Sequence, residues 1–297
     1  MQMEARYQKL LEFFPDSIRM EMEELLQRRG DDVEEFRLRL GFPVGAVLSG
    51  REIVINPLDK RTVVDETILS EIIRRSSENS VYAVQEQIRR GFLALPGGHR
   101  VGICGRAVYN QNGIQTIHEI QSINLRISHE IIGSANMAMN LIWSHPGSTL
   151  FVGRPGCGKT TILRDAIRQL SDRFSEHVGV VDERGEIAAC ARGRPQFRVG
   201  HLTDVLTDCP KKEGIEILLR TMRPEWIALD EITAEEDVDA LIRASYCGVR
   251  FLATAHTMQS EDLERRPVYR SLLDSQVFAN LIRILPNRSL RCEKITN

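Results

Sequence analysis

Residues 153–160 read Gly-Arg-Pro-Gly-Cys-Gly-Lys-Thr and match the pattern G-x-x-x-x-G-K-[ST] at every position. In such a loop, backbone N–H groups curl around a polyphosphate, which requires glycines that accept unusual backbone angles. The pattern places Lys159 to reach the β- and γ-phosphates and the Thr160 hydroxyl to reach Mg²⁺. The sequence therefore predicts a nucleotide-binding loop made of Gly153, Arg154, Pro155, Gly156, Cys157, Gly158, Lys159, Thr160 and Thr161.

Two carboxylates follow a second apolar run, 226–229. Mg²⁺ prefers oxygen ligands and keeps several waters, so we assign Asp230 to the metal, either through Thr160 or through water. The neighbouring Glu231 is then placed to orient or deprotonate the attacking water. A solvated strand end would have the same composition, and the intact loop upstream is what favours the metal-binding interpretation.

Other polar residues compete for roles in the same chemistry. Asp182 and Glu183 follow an apolar run and compete with Glu231 for the role of general base. Thr254 and His256 end another apolar run and are candidates for sensing the γ-phosphate, although an isolated histidine is more often structural. The base therefore stays open among three carboxylates.

Arginine can neutralise the charge that develops on a transferred phosphoryl group, within one chain or from a neighbour. Arg126, in the segment before the nucleotide-binding half, is our preferred candidate. Arg220 and Arg223, before the run at 226–229, are further candidates. Helix-surface salt bridges account for Arg220 and Arg223 equally well, so the involvement of these two in the chemistry is a hypothesis.

Four short apolar runs, 149–152, 178–181, 226–229 and 250–255, alternate with helical patterns in the second half of the chain. This alternation is typical of an α/β fold with a mostly parallel, helix-covered sheet. Ligands of such sheets collect at the carboxyl ends of the strands. Each candidate carboxylate and His256 follows one of these runs, so the pattern predicts that they meet at one edge.

The first half has a different pattern. Residues 7–29 predict two short helices, and strict apolar–charged alternation over 35–40 predicts a half-buried strand. Further strand and helix patterns indicate a smaller α+β domain before the nucleotide-binding loop. We place the boundary at 128–134, which gives domains 1–130 and 131–297.

Two helix starts are predicted near the site. Apolar spacing between Ile131 and Ile142 predicts a helix within residues 128–147. Thr233, with Glu236 three residues later, has the form of a capping box that would begin the helix after Glu231.

Composition excludes several classes of protein. The net charge of -2 argues against a strongly basic nucleic-acid-binding surface, so no nucleic-acid partner is expected. No apolar run approaches the ~20 residues that a membrane-spanning helix needs, and the first residues lack the apolar core of a signal peptide. The six cysteines form no C-x-x-C pair. These features indicate a cytoplasmic protein.

Together these motifs resemble the secretion-type ATPases of the additional-strand P-loop class. In that class a phosphate loop, an acidic box, a second carboxylate motif and a histidine box follow in this order; residues 182–186 resemble the acidic box and 254–257 the histidine box. A more specific set of segments resembles the stage III sporulation protein AA family. Those segments are 34–41, 95–102, 181–188, 219–225 and 253–257.

The resemblance implies a RecA-like or AAA+-type domain that hydrolyses ATP with Mg²⁺. It also implies a hexameric motor of endospore formation, located in the mother-cell cytoplasm and peripheral to the membrane through protein partners. Those partners would be stage III sporulation protein AB and components of a channel-like complex joining mother cell and forespore. A nucleotide-gated structural ring with little turnover and a RecA-like nucleic-acid motor are the alternatives.

The chain departs from the class at two places. Secretion motors usually have Gly-Glu where this chain has Asp230-Glu231, and their acidic box usually runs Glu-Asp-Pro-x-Glu where this chain has Asp-Glu-Arg-Gly-Glu. The first difference predicts metal binding of the commoner P-loop kind. The second leaves the identity of the base open.

Overall fold

The computed structural model describes residues 5–55, 63–77, 84–89, 91–111, 113–191, 193–257, 265–285, 287 and 289–294. The chain divides into two compact units, Met1–His129 and Glu130–Asn297, called unit 1 and unit 2 below. Among the described residues, no helix is both long and apolar enough to cross a bilayer.

Unit 1 combines short helices with an antiparallel sheet. Its described helices are α1 (Ala5–Leu11), α2 (Asp16–Arg29), α3 (Glu66–Ser76) and α4 (Gln85–Arg89). Its described strands are β1 (Val33–Arg39), β2 (Gly45–Leu48), β3 (Arg51–Val54), β4 (Phe92–Ala94), β5 (Arg100–Asn110) and β6 (Gly113–Arg126).

These strands are ordered β3-β2-β1-β6-β5-β4. Side chains along β1 point alternately to the two faces of the sheet, as the period-two pattern predicts. Phe36 and Leu38 are buried in the core of unit 1, and their partners across β6 are Leu125 and Ile123. Arg37 points to the opposite, polar face of the sheet.

Unit 2 alternates helices and strands. Its described helices are α5 (Asn136–Ser144), α6 (Lys159–Phe174), α7 (Lys211–Thr221), α8 (Glu235–Ser245) and α9 (Pro267–Asp274). Its described strands are β7 (Thr149–Gly153), β8 (Val178–Asp182), β9 (Thr203–Thr207), β10 (Trp226–Leu229), β11 (Arg250–His256), β12 (Asn280–Ile284) and β13 (Leu290–Lys294).

The strands of unit 2 are ordered β13-β12-β7-β11-β10-β8-β9, and β13 alone among them runs antiparallel to its neighbour. Successive residues of β7 serve opposite layers: Phe151 packs with α5 and α6, whereas Leu150 and Val152 pack with α7, α8 and α9. Helices on both faces explain why β7, β8 and β10 are buried along their whole length.

The helix predicted within 128–147 is shorter than expected, because α5 begins at Asn136. Gly133 stands in a turn with φ of +85°, which a helix cannot continue through. Ile131 and Ile132, the first apolar positions of the predicted helix, therefore lie outside it, and each is 49% exposed.

The predicted capping box at the start of α8 is wrong in its residues. Ala234 precedes the helix, and the carboxylate of Asp237 accepts hydrogen bonds from the backbone N–H groups of Thr233 (3.4 Å) and Ala234 (3.3 Å). The helix therefore starts one residue later than Thr233 with Glu236 would place it.

Candidate functional site

The glycine-rich loop connects the carboxyl end of β7 to the start of α6. Gly156 and Gly158 adopt φ angles of +74° and +99°, which side-chain-bearing residues rarely accept. The first turn of α6 carries Lys159, Thr160 and Thr161. A helix N-terminus behind such a loop presents backbone N–H groups and a favourable dipole to an anion.

Lys159 is the buried cation of this loop, with only 5% of its surface exposed. Its ammonium donates to the carbonyl oxygens of Gly153 and Arg154, both at 3.0 Å, and to Nδ1 of His256 at 2.7 Å. Burial lowers the pKa of Lys159, because removal from water disfavours the charged form. A bound polyphosphate would supply the negative charge that this buried ammonium lacks.

Asp230 directly follows β10 and lies beside the loop. The Thr160 hydroxyl donates to its Oδ2 atom at 3.2 Å, and the Thr254 hydroxyl donates to Oδ1 at 2.6 Å. The backbone N–H of Glu231 donates to Oδ1 as well, at 3.0 Å. Asp230 Oδ2 and Thr160 Oγ1 therefore form a pair of adjacent oxygens, which is the ligand type that Mg²⁺ prefers.

Glu231 and His256 are joined in a chain that leads back to Lys159. Because an ammonium can only donate, Nδ1 of His256 must accept from Lys159, and Nε2 then carries the proton that faces Glu231 Oε2 at 3.2 Å. The guanidinium of Arg184 lies 3.5 Å from the same Glu231 oxygen. The Glu231 side chain is 25% exposed, so it remains open to a water molecule.

Asp182 has a different environment from the other candidate carboxylates, since only 1% of its surface is exposed. Its Oδ1 atom accepts from the backbone N–H groups of Glu186 (2.8 Å) and Ile187 (3.0 Å), and Oδ2 accepts from that of Ala188 (2.8 Å). These contacts favour a role in shaping the turn after β8 over a role as base.

Arg164, on α6, holds the same turn from the other side. Its guanidinium donates to the carbonyl oxygens of Ile187 (2.6 Å) and Glu186 (2.7 Å) and lies 3.7 Å above the ring of Phe197. Burial lowers the pKa of Arg164 to about 10, so the group keeps its charge at neutral pH. Arg164 thereby connects α6, the helix that carries Lys159, to the turn after β8, residues 182–188, which we call the acidic turn.

Glu183 projects into a cleft at the carboxyl ends of β8 and β10. Its Oε2 atom accepts a short hydrogen bond from the ammonium of Lys211. Apart from Val181, the residues that line this cleft are charged: Glu183, Arg184, Glu186, Lys211, Asp230 and Glu231.

None of the candidate arginines is among the described residues that line this cleft. Arg126 ends β6 in unit 1, exposed and with no side-chain partner among the described residues. Arg220 and Arg223 lie at the C-terminal end of α7, which is the edge where β10 begins rather than ends. Within this chain, Arg220 and Arg223 therefore do not join the residues around Asp230.

Sequence reasoning missed Lys211 and Arg164. Each carried a signal: Arg164 is a charged residue amid the apolar residues of α6, and Lys211 places a cation at a helix start, where the dipole disfavours it. Both partners of each contact lie more than twenty residues apart in the chain, which is why no local motif revealed them.

The fold is that of the secretion-type P-loop ATPases, which confirms the predicted fold class. The X-ray structure of the Yersinia pseudotuberculosis ATPase DotB has a TM-score of 0.63 at 13% identity and covers 96% of this chain and 81% of that one. The crystal structure of the pilus retraction motor PilT with bound ADP has a TM-score of 0.60 at 15% identity, covering 91% and 81%.

A family model described as "Sporulation stage III, protein AA" matches residues 4–290. Stage III sporulation protein AA of Bacillus subtilis (strain 168) is 34% identical over 275 residues, which are 91% of this chain and 88% of that protein. The chain belongs to the sporulation stage III, protein AA family, as its sequence motifs predicted.

Proposed function

We propose that the chain binds ATP with Mg²⁺ and hydrolyses it to ADP and phosphate. The observation that carries this proposal is the convergence of Lys159, Thr160, Asp230, Glu231 and His256 at one edge of the sheet in unit 2. A buried ammonium, a hydroxyl–carboxylate oxygen pair and a carboxylate open to water are the groups that phosphoryl transfer to water requires.

In this proposal the loop residues 153–161 cradle the phosphates, and Lys159 exchanges loop carbonyls for phosphate oxygens. Thr160 and Asp230 would hold Mg²⁺, which neutralises the charge of the phosphates when bound. Among the described residues, no group of three or more His, Cys, Asp or Glu side chains is arranged to hold a metal. A metal shared between Asp230, Thr160, water and phosphate fits that finding, because Mg²⁺ commonly binds through one or two carboxylates plus substrate.

We assign Glu231 as the general base. A water oxygen bonds to the γ-phosphorus, the bond from that phosphorus to the β–γ bridging oxygen breaks, and Glu231 accepts the water proton as ADP leaves. His256 donates to Glu231 and accepts from Lys159. When phosphate binds Lys159, His256 is therefore placed to change its contact with Glu231 and so to sense the γ-phosphate.

At the level of the cell, we propose a motor of a secretion-like assembly used in endospore formation. Membership of the sporulation stage III, protein AA family and the secretion-ATPase fold support this proposal. By extension from that fold, the working form would be a hexamer in the mother cell, attached to the membrane through stage III sporulation protein AB and the channel complex.

The decisive test replaces Lys159 with alanine. We expect Lys159→Ala to lower phosphate release at least about a hundredfold and to weaken nucleotide binding while the chain stays folded, because the ammonium serves phosphate and is not needed in the core. Lys212→Ala, on α7 outside the cleft, is the matched control and should behave as wild type. Ordinary ATPase activity in Lys159→Ala would remove the assignment of the loop.

The same measurements distinguish hydrolysis from the alternative of a nucleotide-gated ring. A wild-type protein that binds ATP tightly but releases no phosphate above the level of Glu231→Gln would be such a ring. Measurable turnover that depends on Glu231 would make it an enzyme.

A further inference from the structure

Lys211 occupies a position that is unfavourable for a lysine. It is the first residue of α7, where the helix dipole disfavours a cation, and only 5% of its surface is exposed. Burying a lysine costs free energy unless a partner compensates. An apolar side chain at this position would avoid both of these costs.

The partner of Lys211 is Glu183, one of the two carboxylates that sequence analysis left as rivals of Glu231. The ammonium donates to Oε2 of Glu183, whose side chain is 38% exposed. Both residues line the cleft that also contains Asp230 and Glu231. Without Lys211, Glu183 would be an uncompensated carboxylate with access to the same space.

The cleft is rich in negative charge. Among the described residues, Glu183, Glu186, Asp230 and Glu231 line it together with two cations, Arg184 and Lys211. Arg184 is directed to Glu231 and Lys211 to Glu183. Each cation thus holds one of the two carboxylates that could contact the attacking water.

We propose that Lys211 is a positioning residue that holds Glu183 away from the reaction centre, leaving Glu231 as the base. This inference rests on the proposed ATPase function and adds a residue to it. Lys211 contacts neither substrate nor metal in this role. It acts through Glu183, by fixing where that carboxylate lies.

The test uses the full chain with four variants: Lys211→Met, Lys211→Arg, Glu183→Gln and the double variant Lys211→Met/Glu183→Gln. Nucleotide affinity, kcat, KM and melting temperature are measured for each. We expect Lys211→Met to lower kcat about ten- to a hundredfold with little change in KM, because a displaced carboxylate disturbs the reacting geometry rather than ATP binding. Lys211→Arg should retain most of the activity, since it keeps the charge.

The double variant separates positioning from a merely structural role. Because the amide introduced by Glu183→Gln carries no charge, Lys211→Met/Glu183→Gln should recover kcat to within about threefold of wild type, and Glu183→Gln alone should stay close to wild type. A structural role for Lys211 predicts a lowered melting temperature and no recovery. Recovery of kcat in the double variant therefore supports the inference specifically.

Two results would overturn the inference. One is wild-type kcat in Lys211→Met; the other is a loss in Lys211→Met that Glu183→Gln does not reverse. Either result in an enzyme whose wild-type form turns over ATP leaves the ATPase function standing. A wild-type protein without turnover overturns both at once.

Discussion

At the scale of single residues, the proposed chemistry depends on how Glu231 is held. His256 donates to Oε2 of Glu231 at 3.2 Å, and Arg184 lies 3.5 Å from the same atom, so one carboxylate oxygen is fixed. The other oxygen has neither of these contacts. A carboxylate fixed on one side and open on the other is suited to orient a single water molecule.

We expect Glu231→Gln to bind ATP with near-normal affinity and to hydrolyse it about 10²–10⁴ times more slowly, since an amide cannot accept the water proton. Single-turnover phosphate release and nucleotide titration measure the two effects separately. Glu183→Gln is the matched control, because it removes the neighbouring carboxylate with the same change of atoms. Full turnover in Glu231→Gln together with its loss in Glu183→Gln would move the base to the acidic turn.

The sequence led directly to hypotheses for the residues that belong to local motifs. Lys159, Thr160 and Asp230 could be placed because each belongs to a motif that follows a strand with an apolar sequence. It left the base open among Asp182, Glu183 and Glu231, because the contacts on which we base our proposal of Glu231 come from other elements, among them Lys211 and His256. Such contacts depend on tertiary packing, which one sequence does not record.

At the scale of secondary structure, α6 organises unit 2. Its first turn carries Lys159 and Thr160, and Arg164 holds the acidic turn. The next residue, Asp165, accepts from the backbone N–H of Ala135 at 2.8 Å, just before α5 begins. Asp165 also pairs with Arg168 at 2.7 Å and is 3% exposed.

We expect Asp165→Asn to destabilise the protein by about 2 kcal/mol at neutral pH, because the charge-assisted hydrogen bond to Arg168 is lost inside the protein. Burial alone raises the pKa of Asp165, but hydrogen bonds from Ala135, Arg168 and Gln169 outweigh it, so the pKa lies below its usual value. The stabilisation that goes with a lowered folded-state pKa is fully present above the unfolded-state pKa of about 3.9. It is lost as the pH falls through the folded-state pKa.

Urea unfolding of wild type and Asp165→Asn between pH 7 and pH 2 checks this prediction. The difference in unfolding free energy should be constant down to about pH 4 and shrink below it. Asp239→Asn, on the exposed face of α8 and with no side-chain partner among the described residues, should show no such difference. If the difference in unfolding free energy is as large at pH 2 as at pH 7, it does not come from the charge of Asp165.

The elements themselves were predictable where burial is complete. Strands β7, β8, β10 and β11 were all predicted to within one residue at each end, because a short, mainly apolar run between two helical patterns is typical of a strand covered on both faces. Strand β9, by contrast, lies at the edge of the sheet, is only half-buried, and mixes polar with apolar residues. From the sequence alone such a segment resembles a loop, and its pairing with β8 is what identifies it as a strand.

At the scale of the whole molecule, we propose that an arginine from a neighbouring subunit assists the chemistry. Arginine stabilises the charge that develops on the phosphoryl group during transfer, and an added arginine can contribute about 10³–10⁵ in rate. Arg126 lies on the polar face of the unit 1 sheet, opposite Glu35 in register, but Glu35 is engaged by Arg37 and Asn124. We therefore propose that Arg126 acts toward nucleotide bound at a subunit boundary.

We expect a non-hydrolysable ATP analogue to convert wild-type protein into a ring of about six chains, and Arg126→Ala to reduce both assembly and turnover, because an arginine at the boundary would offset γ-phosphate charge. Light scattering with a parallel phosphate-release assay measures both quantities at micromolar protein. Arg106→Ala, on the same hairpin but paired with Glu119, should leave both unchanged. A wild type that stays monomeric with the analogue bound argues against the ring altogether. If Arg126→Ala assembles and turns over normally, the ring stands and the assignment of Arg126 is wrong.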